Sequence, residues 1–265
     1  MDFRRIEWIF LVIFLALDIF LGVSFYQSQK VELSVSKAPT TQMITEIKRD
    51  QITLPELNNK TPKGAYIASR PNTLLYQNMR QLQGQSVSFD SNHQVLTSNL
   101  TPTVAIKKGE EVATIEKWMK GNHNVLFGSE YSYSKRLSSK NIYAFAQKFK
   151  EGAIYDDRAM LYVRVEGNRV MGYTQMYTAQ PEILRDGIKL VSNEDAVIEL
   201  YRDNDILNNS KVLWTKLGYT WLLDAKGSSV YVPAWFVGIE NRNSRNVTVK
   251  KINAITKAVI KTPNQ

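Results

Sequence analysis

Two pairs of adjacent carboxylates, Asp156-Asp157 and Glu194-Asp195, are the residues best suited by type to acid–base chemistry. Wall hydrolases divide general acid and general base between two carboxyl groups, so such pairs are where hydrolysis would be sought. The first pair fits a turn, and the second fits a helix start, where acids favour the positive end of the dipole. Ser34 and Lys37 match S-x-x-K, but no S-D-N or K-T-G follows them. His93 and His123 stand apart, neither within H-E-x-x-H, and the chain has no cysteine. Thiolate metal sites, disulfides and lipoprotein attachment are therefore excluded. Glycine-rich phosphate loops and G-x-S-x-G are also missing from the sequence. These residues predict a non-enzymatic protein with no catalytic residues, no metal and no cofactor.

Aromatic side chains offer a second chemistry. Tyr131, Tyr133, Tyr173, Tyr177, Tyr219, Trp221, Tyr231 and Trp235 could form a ligand platform. Tyr and Trp are also ordinary strand residues that pack across sheets, so core or sheet surface is their default place.

The element that must position everything else is the apolar run from Trp8 to Phe25, behind Arg4 and Arg5. A helix over it is roughly 27 Å long at about 1.5 Å per residue, close to the hydrocarbon thickness of a bilayer. A membrane-spanning helix is predicted, because a lone span must satisfy its own backbone polar groups. Arg4 and Arg5 set its orientation by keeping positive charge inside, so the long remainder is predicted outside. The few residues before the run leave no room for a cytoplasmic domain. Gly22 and Ser24 are small enough to precede a signal cleavage, but the run is longer than the usual apolar region of about 7–15 residues. Asp18 interrupts it at a cost near 2.5–3.5 kcal/mol at a helix centre. A contact with another membrane helix would offset that cost, made by Leu11, Phe14, Leu15, Asp18, Leu21, Gly22 and Phe25 on one face. The competing account is a protonated Asp18 tolerated near the outer interface.

The formal charge of +9 belongs to the outer part, since Arg4, Arg5 and Lys30 cancel Asp2, Glu7 and Asp18. Outside a cell such a surface favours lipid head groups or anionic wall polymer, not nucleic acid. Residues 27–41 are polar, without a helical stripe, and read as a tether. Met43, Ile44 and Ile47 can share one face of a short helix. Short extended runs follow at GAYIAS, QSVSF and PTVAIK, while TLLYQNMRQL suits a helix or a strand. Val112, Ile115, Trp118 and Met119 recur at helical spacing, placing Trp118 in the core. VLFG suggests a strand and YSYS a corner. Beyond residue 141 the pattern is mostly strand, with a hairpin signal at Gly167-Asn168 and a helix over EDAVIELY capped by Asn193. Helices beside an antiparallel meander predict an α+β fold.

Several segments together are similar to a known family. MDFRRIEWIFLVIFLALDIFL, VLFG, IYAFAQKFKEGAIYDDRAMLYVRV, GYTQMY, LGYTWLL, VYVPAWFV and KKINAIT resemble the YycI family over nearly the whole chain. The resemblance implies a membrane-anchored, non-enzymatic regulator of the WalK/WalR (YycG/YycF) two-component system of low-GC Gram-positive bacteria. It also implies a YycH-like partner, contact with the sensor kinase through membrane helices and outer domains, and an α+β outer region shared with parts of YycH. Family members commonly carry an amide at the position of Asp18. The expected organisation is a cytoplasmic tail (1–5), a transmembrane helix (6–26), a tether (27–41) and two related extracellular α+β subdomains (42–140 and 141–265). The alternative is a membrane-tethered outer module that binds anionic wall polymer or peptide.

Overall fold

The computed structural model describes residues 8, 11–22, 40–179 and 181–261. Two compact units divide the chain, 1–49 and 50–265. Arg4, Arg5, Phe25 and most of the expected tether lie outside the described residues.

The first unit carries helix α1 (11–22) and helix α2 (Thr40–Arg49). Every described residue of α1 is exposed, with Phe14 at 63% and Leu15 at 58%. Among the described residues no helix is long and apolar enough to cross a membrane. In α2, Met43 and Ile47 are buried one turn apart with Ile44 half-buried, and Lys48 and Arg49 complement the negative end of the dipole.

The second unit is built on one sheet. In chain order its first strands are β1 (Lys63–Ser69), β2 (Gln85–Phe89), β3 (Val95–Ala105), β4 (Tyr131–Tyr133), β5 (Ile142–Lys148) and β6 (Ala153–Ile154). Then come β7 (Met160–Glu166), β8 (Arg169–Met176), β9 (Glu182–Lys189), β10 (Ser210–Ala225), β11 (Ser228–Asn241), β12 (Val247–Asn253) and β13 (Val259–Ile260). Helices α3 (Leu74–Asn78), α4 (Glu111–Met119) and α5 (Asn193–Arg202) complete an α+β fold. The spatial order is β13-β12-β11-β10-β6-β5-β7-β8-β3-β2, with β1 joining β11 to β9 and β4 beside β5. Nearly all pairings are antiparallel, joined by turns such as Gly167-Asn168, where φ is 54° and 59°. Positive φ at both central residues matches the right-handed twist of the flanking strands, which is why that dipeptide makes a hairpin.

Two wings result. One is β2, β3, β4, β5, β7 and β8; the other is β1 and β9 with β10 to β13. β3 lies before residue 140 and pairs with β8 beyond it, so the sheet continues across that position. The first wing covers a core of Leu96, Phe145, Leu161, Val163 and Tyr173, into which α4 inserts Ile115 and Met119. Trp118 packs half-buried on it, edge-on to Tyr173 with centroids 5.9 Å apart. Burying each such side chain contributes about 1.5–3 kcal/mol.

The wings are joined at β6. Ile154 forms a parallel bridge with Tyr219 of β10, and the Tyr155 amide donates to the Tyr219 carbonyl at 2.8 Å. Ile154 of β6 packs with Ile67, Tyr219 and Tyr231 of the second wing, and residues of both wings mix in a further cluster of Ala144, Met160, Tyr155 and Phe236. Gly218 is required at this seam, because a Cβ would run into the Tyr155 ring.

Three local expectations change, the first at YSYS, which forms strand β4 in place of a corner. VLFG is a turn into a 3-10 helix rather than a strand, because Phe127 takes φ 54° and Gly128 sits under the Met119 carbonyl, where a side chain would collide. Ser192, not Asn193, caps α5: its hydroxyl accepts from the Asp195 amide at 3.0 Å and donates to the Asp195 carboxylate at 2.8 Å. Asn193 is the first helical residue and reaches sideways, accepting from the Asn58 amide at 2.9 Å. β9, EILRDGIK, carries charge on a largely exposed strand and shows no alternation to reveal it.

Candidate functional site

The helix face expected from the sequence is carried by α1. At about 100° per residue, Leu11, Phe14, Leu15, Asp18, Leu21 and Gly22 fall within a stripe roughly 120° wide, with Asp18 near its middle. Each is exposed, and a Cβ on Gly22 would meet nothing within 4 Å. Phe25, Arg4 and Arg5, named with them, lie outside the described residues.

A second site is visible only in the tertiary structure. Where the wings meet, a cleft of about 290 Å³ opens between the end of β1, the start of β3, the end of β8 and the β10–β11 hairpin. Arg158 forms one wall. It sits in a 3-10 turn (Asp157–Ala159) capped by Asp156, whose carboxylate accepts from the Arg158 amide at 3.3 Å and from the Trp221 amide at 3.3 Å. The Arg158 guanidinium carbon lies 4.1 Å from the centre of the Trp221 ring, and Nη2 lies 3.5 Å from Asp224 Oδ2. Asp224 accepts from Ser229 Oγ at 2.7 Å and from Trp221 Nε1 at 3.0 Å. These bonds, the Ser229 hydroxyl foremost, with the Arg158 charge behind them, hold the Asp224 carboxyl below its usual range against the opposing effect of burial.

The opposite wall is tied to the same arginine. Thr178 Oγ1 donates to the Arg158 carbonyl at 3.0 Å and lies 3.4 Å from the Tyr231 hydroxyl. Asn72 Nδ2 donates to the Tyr177 carbonyl at 3.0 Å, and Ser69 Oγ to the Ala179 carbonyl at 2.9 Å. Burial raises the Tyr231 hydroxyl above its ordinary value, and raises that of Tyr177 too, with the Glu130 charge adding to the second. Both stay neutral donors at physiological pH.

Three of the four paired carboxylates serve the fold. Asp156 caps a turn and braces β10; Asp157 accepts from the Tyr162 hydroxyl at 2.6 Å. Asp195 closes the α5 cap and lies 3.6 Å from Lys257. His93 leans on the Tyr76 ring with centroids 4.0 Å apart, whereas His123 Nδ1 lies 2.8 Å from the Gln81 carbonyl oxygen, so the two histidines do not converge. Among the described residues no group of three His, Asp or Glu could hold a metal. Of the aromatic candidates, Tyr131, Tyr173, Tyr219 and Tyr231 are buried, and Trp235 donates to the Val191 carbonyl. Among the described residues, a cation lies over the ring of Trp221 and of no other of these candidates. Arg158, beside the acidic pair in sequence, carries no motif that would have singled it out.

Fold and site together define a largely antiparallel α+β protein with few helices and a polar cleft at the seam of its sheet. The chain belongs to the YycI family: residues 31–255 match the family described as YycI protein. That family is one of regulators, connected with the WalK/YycG two-component system, and is not known for enzymatic activity. Among solved structures the chain is similar to an uncharacterized protein from Eubacterium rectale ATCC 33656, at 9% identity over 79% of this chain and 89% of that one, with a TM-score of 0.47. It is also similar to the YpeB C-terminal domain of Bacillus megaterium, at 16% identity over 87% of this chain and 99% of that one, with a TM-score of 0.35. No curated protein matches it.

Proposed function

We propose that this chain is a membrane-anchored, non-enzymatic regulator of a WalK-type sensor histidine kinase, acting with a YycH-like partner through its membrane helix and outer region. Family membership over residues 31–255 is the observation that supports this reading. The run from Trp8 to Phe25 is the anchor, crossing once with Arg4 and Arg5 inside and the sheet outside. A regulator of this kind shifts a kinase between states by making differential contacts with them, within the membrane or outside it. The α1 stripe centred on Asp18 is the surface assigned to contact within the membrane. A carboxyl group is costly in hydrocarbon, and a neighbouring helix offsets that cost.

Exchanging the span for an unrelated apolar helix, with the outer region intact, separates this from a passive tethered binder. Kinase-dependent transcription loses its regulation in the exchanged chain while surface display persists; full regulation in that chain would sink the helix-contact reading. In a membrane-helix association assay, Asp18→Leu weakens pairing with the kinase or the YycH-like helix. The alternative, an outer module that binds anionic wall polymer or peptide, draws its support from the seam cleft, where Arg158 Nη1 has no hydrogen-bond partner.

A further inference from the structure

The cleft at the seam contains an arginine that is held in place but not used up. Its amide is bonded to Asp156, its carbonyl to Thr178, and its guanidinium plane rests on Trp221. The guanidinium nevertheless makes no hydrogen bond to any described residue, and Nη1 is buried without a partner. Native structures rarely leave such a donor unpaired without a reason. Neutralising Asp224 is the plain alternative, yet Asp224 already accepts from Ser229 and Trp221. Its distance from Arg158, 3.5 Å, is longer than the roughly 2.7–2.9 Å of a charge-assisted bond. Arg70, at the mouth of the same cleft, is exposed and makes no side-chain bond to a described residue.

We propose that this cleft binds the free carboxylate of a short peptide, with Arg158 and Arg70 as its cationic partners and the terminal side chain resting against Val95 and Met176. Three features select that class. Two arginines against one Asp224 leave a single positive charge in the lining, which matches a monoanion. Pro71, Val95, Met176 and the Tyr177 ring give the walls an apolar surface, which suits an amino-acid side chain better than a polyol phosphate. A volume of about 290 Å³ holds one or two residues, not a polymer. Arginine recognises a carboxylate by charge and by N–H donors, as in other sites that capture chain termini. The inference concerns the cleft alone and stands whether or not α1 meets a kinase.

The test is calorimetric titration of the full chain in detergent micelles with N-acetyl-alanyl-alanine, its C-terminal amide, and glycerophosphoglycerol as a wall-polymer phosphodiester. The free acid binds, and the amide binds at least about tenfold more weakly, as expected for loss of a charged bond. Arg158→Gln weakens the acid by a similar factor. Arg70→Gln, at an exposed position that leaves folding intact, weakens it severalfold. Equal binding of acid and amide, or no heat from the acid up to about 10 mM, overturns the proposal. Tighter binding of the phosphodiester than of the acid also overturns it, and assigns the cleft to wall polymer. A span-exchanged chain gives the same titration, so failure here is distinct from failure of the regulatory reading.

Discussion

Arg158 lies across the face of Trp221, 4.1 Å from guanidinium carbon to ring centre, although the two residues belong to opposite sides of the seam between the sheet's wings. Trp221 also donates its ring N–H to Asp224, so one side chain supports two of the three charges that line the cleft. Replacing it by leucine removes a cation–π contact of about 0.5–1 kcal/mol and a hydrogen bond of similar net value. The expected loss is about 1–2 kcal/mol in urea unfolding. A variant as stable as the parent would show that the stack contributes nothing.

Gly218 faces the Tyr155 ring, which in turn packs edge-on to Phe236 at 5.2 Å. Gly218→Ala puts a methyl group into that ring and strains the only bridge between β6 and β10. Overpacking of this kind costs about 1–3 kcal/mol. The denaturation midpoint falls with the urea slope unchanged; a midpoint equal to that of the parent would mean that the ring yields freely.

Ser192 and Asp195 exchange two hydrogen bonds at the start of α5. Ser192→Ala leaves the Asp195 amide without its acceptor and destabilises the protein by about 1 kcal/mol. Hydrogen exchange should quicken first in the opening turn of α5. Asn193→Ala acts elsewhere, freeing the Asn58 amide, and exchange at residue 58 distinguishes the two variants.

Asp90 accepts from the Val95 amide at 2.8 Å and the Gln94 amide at 2.7 Å, which closes the turn between β2 and β3. These bonds, that of Val95 foremost, lower its pKa from the ordinary carboxylate value, against a smaller opposing effect of burial. A carboxyl group depressed in the folded state stabilises fully above its unfolded pKa, near 3.9, and loses that contribution as pH falls through the folded value. Asp90→Asn should therefore flatten the acid limb of the stability curve below about pH 4 and leave its shape near neutrality unchanged. An identical acid limb in parent and variant would refute this assignment.

Several elements were legible before any coordinates. The spacing of Val112, Ile115, Trp118 and Met119 marks α4, and Ile115 and Met119 are its buried residues. Gly167-Asn168 marks the β7–β8 hairpin, and the strand-rich segments beyond residue 141 match β5, β7, β8 and β10 to β12. These signals are local: a helical period or a positive-φ dipeptide acts within a few residues, whatever the remainder of the chain does.

The seam and its cleft were not legible. Arg158 belongs to a turn after β6, Trp221 to β10, Arg70 to the loop after β1 and Val95 to β3, so no window of sequence contains the site. Asp156-Asp157 drew attention by type, yet the structure spends both carboxylates on capping, bracing and a tyrosine hydroxyl. β9 leaves no signal in the sequence, because a charged, exposed edge strand has no buried face to impose alternation. The sequence by itself determined the α+β class, α4, α5 and the β7–β8 hairpin, which rest on local periodicity and turn chemistry, and the family, which rests on the resemblance of whole segments. Only the tertiary structure decided which strands lie side by side and which charges meet, because those depend on pairings between segments far apart in the chain.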